Sequence, residues 1–373
     1  MFDIAIIGGG LAGLVNSILL SRAGLKVVLF EKNQYPFHRV CGEYISNEVI
    51  PFLENHDLFP LEFAPPNISE LLISSVRGKS FSSTLDLGGF GISRFAFDHW
   101  LSLKAEAAGV QVYQNTTIKE VRKSTVFFEL STQNDEVFTS KLVIGAHGKR
   151  AKLDQSLNRS FLQKHSPYVG VKYHVKTNLP DDQIALHNFE GGYCGVSRVE
   201  DGKYNVCYLT HRDGIREHGS IEAFEENIMY RNPHLESLFR NSDKLFEKPL
   251  VINEISFDKR EPINGSLFMC GDAAGMITPL CGNGMAMAIH SAKILSSFII
   301  DQWKSGDLNL EALGNAYEKT WTKQFGTRLW AGLKIQDSLF GNNWASSTAV
   351  FTGKYLKPLT DALIRQTHGS PFS

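Results

Sequence analysis

The chain has 373 residues, 43% of them hydrophobic and 21% charged, with a formal net charge of −1. That balance excludes a disordered chain, and a charge near zero gives no electrostatic basis for nucleic acid or an acidic membrane as partner. The length exceeds one ordinary core and suits a large domain with a smaller companion.

Met1-Phe2-Asp3 leads straight into an apolar run, Ile4 to Ile7, with no basic segment and no cleavage site, so the run reads as a strand and not a signal peptide. Gly8-Gly9-Gly10 breaks it. Leu11 to Ala23 carries apolar residues at helical spacing and stops at Gly24, and Lys26 to Phe30 is a second apolar strand closed by Glu31. Short β-like runs follow at Leu71 to Ile73 and Ser80 to Leu87, then a helix from Arg94 to Ala108. Gln111 to Tyr113 and Thr125 to Thr132 read as a strand pair, and Leu142 to Ala146 as a further strand. Residues 167 to 210 alternate like antiparallel strands, Ser220 to Asn232 is helical, Ser266 to Cys270 is a strand and Gly284 to Ile300 a helix. Ile294 to Ile300 is interrupted by serines, so no stable membrane insertion is expected. Cys41, Cys194, Cys207, Cys270 and Cys281 lack metal-ligand spacing, which predicts no metal site and a reduced, cytoplasmic protein.

The fold class read from this order is α/β. It combines a Rossmann-type dinucleotide domain (residues 1–66, 94–160 and 255–300) with an inserted, mostly antiparallel β-sheet substrate domain (67–93 and 161–254). A helical C-terminal region (301–373) carries the aromatics Trp321, Phe325, Trp330, Phe340 and Trp344, expected to pack.

Gly8-x-Gly10-x-x-Gly13 lies between a strand and a helix, the context this motif requires. Gly8 permits the tight turn, Gly10 lets a pyrophosphate approach the backbone, and Gly13 lets the helix pack on the sheet. The amides at the helix start, at Leu11 and Ala12, then face the phosphate charge. Glu31, with Lys32 beside it, closes the second strand where a ribose hydroxyl needs an acceptor. A second loop stands far down the chain: Gly271-Asp272-Ala273-Ala274-Gly275, then Pro279-x-x-Gly282-x-Gly284-Met285, opening another helix. A simple NAD dehydrogenase has no use for it, whereas a flavin does: the carboxylate is displayed at a strand end and the helix start meets an electron-rich ring edge.

These motifs resemble those of the FAD-dependent monooxygenases of the aromatic hydroxylase type, with the related geranylgeranyl reductases and flavin halogenases, over most of the chain to about residue 300. The resemblance implies that Asp272 binds the ribityl chain, that Pro279, Gly282 and Gly284 lie beside the isoalloxazine, that Arg94 contacts the cofactor, and that Val121 gives adenine a backbone contact. Read without it, Arg94 equally makes an ion pair with Asp98 one helical turn on. The family's middle Ala-Asp-Gly motif is here Ala146-His147-Gly148, which weakens direct NAD(P)H binding as the source of electrons and leaves a separate reductase as the other donor. His147 itself reads as a cap or a core histidine more readily than as a catalytic group.

Between Phe37 and Ser46 lies a polar stretch containing Arg39, Cys41 and Glu43. Prenyl reductases carry a Cys-Gly pair here, which makes Cys41 and Glu43 candidates for catalytic groups facing the substrate, with packing as the alternative. Arg39 holds a phosphate or the flavin edge, or is solvated. Tyr168, Tyr173, His174, His187, Phe189 and Tyr193 are expected to line an aromatic pocket if strand alternation points them inward. The halogenase Trp-x-Trp-x-Ile-Pro segment is absent. The prenyl reductase Tyr-x-Trp-x-Phe-Pro segment survives only as Tyr193 in Tyr193-Cys194-Gly195-Val196-Ser197-Arg198. The sequence therefore puts monooxygenation of a small aromatic or polyketide-like substrate, through a flavin hydroperoxide, ahead of reduction of a prenyl or lipid double bond. Halogenation and a non-redox FAD-binding role come behind both. The substrate expected is a small apolar or aromatic molecule.

Overall fold

The computed structural model describes residues 1–149, 151–163, 165–279, 282–306, 308–339, 343–355 and 369–373; Arg150, Cys281, Phe340 and the Trp344 side chain lie outside them. The first half of the chain runs β1 (Phe2–Ile7), α1 (Leu11–Arg22), β2 (Val27–Phe30), β3 (Tyr44–Ser46), α2 (Ile50–Asn55), β4 (Asn67–Ser74), β5 (Ser80–Gly91) and α3 (Arg94–Ala107). There follow β6 (Gln111–Tyr113), β7 (Ile118–Lys123), β8 (Phe128–Thr132), β9 (Val137–Gly145), α4 (Lys152–Ser156), β10 (Tyr168–Lys176), β11 (Gln183–Phe189), β12 (Gly192–Arg198) and β13 (Tyr204–His211). The remainder is α5 (Arg212–His218), α6 (Ile221–Asn227), α7 (Pro233–Arg240), β14 (Asp243–Lys244), β15 (Leu250–Asn253), β16 (Ile263–Asn264), β17 (Leu267–Met269), α8 (Gly284–Ser305), α9 (Leu310–Leu339) and α10 (Asn343–Tyr355).

The strands form two sheets. The first has the order β16-β17-β9-β1-β2-β6, with the β7–β8 meander attached to β9. β1 sits between β2 and β9 in parallel register, Ile4 opposite both Val27 and Leu142, so its side chains meet protein on each face and the run is apolar throughout. α1, α3 and α8 pack against this sheet in one large core. Gln111 to Tyr113 and the 125–132 run do not pair with each other as their sequence implied. β6 joins β2 in parallel, and β8 pairs with β7 and β9. The reason is the βαβ crossover through α3, which returns β6 to the edge beside β2.

The second sheet has the order β14-β10-β13-β12-β11-β4-β5-β3, with β15 also on β10. Its strands are antiparallel except where β11 joins β4, the place at which the second insertion returns to the first. β3 belongs to this sheet through Tyr44 opposite Gly91, so the cofactor segment already crosses into it before residue 66. One face is covered by α6 and α7: Phe224, Met229, Leu235 and Leu238 pack on Val171, Tyr173 and Tyr208. The opposite face looks into a cavity.

α8 lies against α1 and carries α9 on its other side, where Leu313, Tyr317, Trp321 and Phe325 complete the core. Trp321 and Phe325 thus pack, whereas Trp330 is 63% exposed. No described helix is long and apolar enough to cross a membrane.

Candidate functional site

The glycine loop is built by close approach. Gly8 has φ +110°, and a Cβ there would lie 2.4 Å from the Ala146 carbonyl oxygen; a Cβ on Gly13 would lie 1.9 Å from the Gly8 carbonyl oxygen. The loop therefore folds onto the first turn of α1, whose N-cap is Gly10. Gly8, Gly10, Leu11 and Ala12 line the cavity, while Gly13 stands behind them as the packing residue. Unsatisfied amides at a helix start draw anionic groups.

Beside the loop stands a buried charge network. Glu31 accepts from the Gly9 amide at 2.9 Å, from the Asn33 amide at 3.0 Å and from Arg39 at 3.1 Å. Asn33 Nδ2 also donates, at 3.2 Å, so each carboxylate oxygen meets two donors and a ribose hydroxyl would take the place of one of the side-chain donors. Arg39 also donates to Asp98 at 3.0 Å, and Arg94 donates to the same carboxylate twice, at 2.7 Å each. Both readings of Arg94 thus coexist: the Asp98 pair forms but is buried, and the guanidinium borders the cavity. Burial disfavours the Arg94 cation, but Asp98 outweighs it and raises the pKa, with Cys41 and Asp272 within electrostatic reach. Arg39 is a bridge between Glu31 and Asp98 with its face 4.4 Å from the Phe37 ring, and not a solvated arginine.

The second loop reaches the same cavity from the far side. Gly271, Asp272, Pro279, Gly282, Gly284 and Met285 all line it, so the N-termini of α1 and α8 converge on one space. Lys32 lines it near Glu31. Val121 does not: it lies on β7 and packs against the core, and the cavity wall there is made by Thr116, Thr117, Ile118 and Lys119, nearer the start of that strand. The contact expected of Val121 is misplaced because the first strand after α3 is the short β6, and the chain enters the cavity wall on the way to β7. His147 is a cap-side histidine, with Nε2 2.9 Å from Asp154, whose other oxygen accepts from the Ala151 amide at the start of α4.

The stretch from Arg39 to Glu43 forms the wall between these loops and the second sheet. Cys41 is half-buried and borders the cavity. Glu43 is not free to relay a proton. Its carboxylate is fully buried, meets Lys172 Nζ, and lies 2.6 Å from His174 Nε2 and 2.8 Å from the Arg94 amide. Burial pushes its pKa up, but Lys172 and His174 outweigh burial and hold it at about 2, so it stays ionised. Both proposed catalytic residues border the space, but Glu43 is sealed in its ion pair, which leaves partly exposed Cys41 as the candidate. Lys172, Asn205 and Cys207 were not singled out in the sequence. A lysine in the middle of the apolar run from Val169 to Val175 was the available signal.

Strand alternation chose a different lining from the aromatic one. Tyr193 lines the cavity, but Tyr173 and Phe189 face the α6–α7 layer, and Tyr168, His174 and His187 are also absent from the wall. The residues on the open face are Ile184, Leu186, Gly195, Ser197, Cys207 and Leu209, joined by Leu71, Ile73, Phe81 and Leu85 from β4 and β5. The sheet's cavity face is thus largely aliphatic beside Tyr193, because Tyr173, His187 and Phe189 fall in the alternate register and are buried behind it.

The whole cavity measures about 2050 Å³. Small-molecule pockets span about 300–1,000 Å³, so this one has room for a dinucleotide and a second large molecule. The residues fit FAD: a loop in which Cβ atoms would collide, a buried acceptor at Glu31, a buried cation at Arg94, and Asp272 beside the start of α8, all on one continuous wall.

A family model described as an NAD(P)-binding Rossmann-like domain matches residues 6–66. The conditioned medium factor receptor 1 of Dictyostelium discoideum is 22% identical over 364 residues, covering 87% of this chain and 68% of that protein. The digeranylgeranylglycerophospholipid reductase of Methanosarcina acetivorans is 25% identical over 344 residues, covering 87% and 82%. Among solved structures, a geranylgeranyl bacteriochlorophyll reductase-like protein from Thermoplasma acidophilum superposes with TM-score 0.79 at 18% identity, covering 100% of this chain and 96% of that one. A flavin-dependent brominase superposes with TM-score 0.77 at 18% identity, covering 100% and 94%. Fold, loops and relatives agree on a class: the chain has a Rossmann-like dinucleotide fold with an inserted sheet, and it is similar to FAD-dependent oxidoreductases. FAD is the cofactor that this cavity wall fits.

Proposed function

We propose that the chain reduces isolated carbon–carbon double bonds in a prenyl or lipid chain. The observation that carries this reading is the aliphatic wall that the second sheet gives the cavity past Cys41, with Leu71, Ile73, Leu85, Ile184 and Leu186; α9 and α10 add Ile335 beside the polar Lys334, Ser346, Thr348 and Thr352. A wall of Ile, Leu and Val side chains recognises a long apolar chain by burial and offers little to orient a polar aromatic ring. The relatives named as digeranylgeranylglycerophospholipid reductases match over more than four-fifths of both chains and support the same order. Monooxygenation, put first on sequence because the prenyl reductase segment survives only as Tyr193, moves to second place beside the aliphatic wall and the reductase relatives.

Bound FAD supplies the hydride, and the protein's part is orientation and exclusion of water. The second sheet holds the chain. The Cys41 thiol, at the junction of the two halves, is the group placed to give the proton to the other alkene carbon. Electrons reach the flavin from NAD(P)H or from a separate reductase.

The test is anaerobic. Dithionite-reduced holoprotein is mixed with a geranylgeranyl glycerophospholipid in detergent, and products are read by mass. Gain of hydrogen pairs, lost in Cys41→Ala and without oxygen consumption, is expected. A product that forms only with oxygen and carries an added oxygen atom overturns the reading in favour of monooxygenation.

A further inference from the structure

The backbone from Arg39 to Glu43 is held from outside at every residue. The Arg39 carbonyl accepts from Lys172 Nζ at 3.1 Å and the Val40 carbonyl from Lys149 Nζ at 3.3 Å. Asn205 Nδ2 donates to the carbonyls of Cys41, at 3.2 Å, and Gly42, at 2.9 Å; Ser197 Oγ also donates to Gly42, at 3.3 Å. The Glu43 carbonyl accepts from the Ile92 amide at 3.2 Å. His174, Asn205 and Ser197 form one transverse row across β10, β13 and β12, and Lys172 opens the next row opposite Cys207. The segment is therefore laid along a polar strip of a sheet face that is otherwise aliphatic.

Glu43 is where the strip closes. It bonds Lys172 and His174 of the second sheet and, through the Arg94 amide, the start of α3 in the cofactor half. Lys172 and Glu43 are both completely buried, and Glu43 takes φ +54°, the left-handed region that a glutamate adopts only under constraint. Burying two charges costs several kcal/mol per ion, and a well-packed apolar pair of the same volume serves stability as well or better. What an apolar pair lacks is direction: it would neither hold the Arg39 carbonyl, as Lys172 does, nor tie the segment to His174 and the Arg94 amide, as Glu43 does.

We propose that Glu43 is a positioning residue that, with Lys172, His174 and Asn205, locks the Cys41–Gly42 wall of the cavity to the substrate sheet and to the start of α3. The thiol's place is then set by this clamp, before either cofactor or substrate binds. The inference concerns how the wall is held, so it stands whether the reaction is reduction or oxygenation.

The experiment uses the holoprotein and iodoacetamide, with alkylation at Cys41 read by peptide mass and the visible band of the bound flavin recorded alongside. In Glu43→Gln, alkylation of Cys41 is expected to rise about tenfold or more, because local opening governs reagent access. The flavin band is expected to shift. Should Glu43→Gln fail to fold, Asn205→Ala releases the Cys41 and Gly42 carbonyls without touching the charges, and a several-fold rise is expected. Met229→Ala, in the core behind the sheet, is the control for plain destabilisation: it lowers the melting temperature and leaves Cys41 reactivity at the wild-type rate. Unchanged Cys41 reactivity in folded Glu43→Gln or in Asn205→Ala, or an equal rise in Met229→Ala, overturns the clamp.

Discussion

The two halves of the cavity are made in opposite ways. The cofactor half is assembled from strand-to-helix turns at Gly8–Gly13 and Gly271–Gly284, where backbone closeness and helix ends do the binding. The substrate half is assembled from alternate positions on β4, β5, β11, β12 and β13, where side-chain volume decides the shape. The first kind of surface tolerates almost no added atom, and the second tolerates exchange among apolar residues of similar size. A turn binds by what it excludes; a sheet face binds by what it leaves exposed.

The sharpest way to break the cofactor half is Gly13→Val. Overpacking costs about 1–3 kcal/mol even where neighbours give way, and here the neighbour is the Gly8 backbone 1.9 Å from the first added atom. Purified protein is expected to be colourless, and flavin absorbance after dialysis reads it. Asp272→Ala is milder: loss of a charged hydrogen-bonding group costs about 1.5–3 kcal/mol, so FAD is retained at high concentration and lost on dilution, as a fluorescence titration would register.

In the substrate half, Leu186→Trp narrows the aliphatic wall without touching the glycine loops. The flavin spectrum is expected to stay, while KM for long prenyl chains rises about tenfold and short chains are spared, the discrimination that a few methylenes support. Equal losses for both lengths would show that the long chain does not lie along β11.

The smallest effect expected is on acid stability. Burial, then His234, lowers the His187 pKa from 6.5 to about 3. The native ring stays neutral while the unfolded one takes a proton, so the stability it contributes is complete above pH 6.5 and is lost as pH falls toward 3. Glu43 is depressed from 4.5 to about 2, and its contribution goes later, as pH falls through that lower window. His290 on α8 is likewise lowered to about 3, chiefly by burial, so both halves loosen over the same acid window and His187 reports the substrate half's share. His187→Gln is expected to flatten melting temperature against pH between 6.5 and 3; a slope as steep as in the parent protein would place the acid-sensitive group elsewhere.

Much of the cofactor half was legible in the chain. Gly8, Gly10 and Glu31 were picked out by local spacing, since a βα turn is closed by residues a few positions apart, and Arg94 and Asp272 by the resemblance; all five line the cavity. Where the reading failed, the deciding contact was long-range. Val121 missed the wall because the path between β6 and β7 is not set by spacing. The pocket expected from Tyr173, His187 and Phe189 became core because a shift of one residue exchanges the two faces of a strand, and periodicity does not say which face meets α6 and α7.

The chain by itself determined a dinucleotide fold with a second flavin-type loop and an inserted sheet, because strand, turn and helix patterns are local. Only the tertiary structure decided that Glu43 is a buried anchor, that Cys41 beside it stays partly exposed, and that the far wall is largely aliphatic. Lys172 and His174 stand some 130 positions from Glu43, and the charge of a buried carboxylate is settled by whichever groups the fold brings beside it.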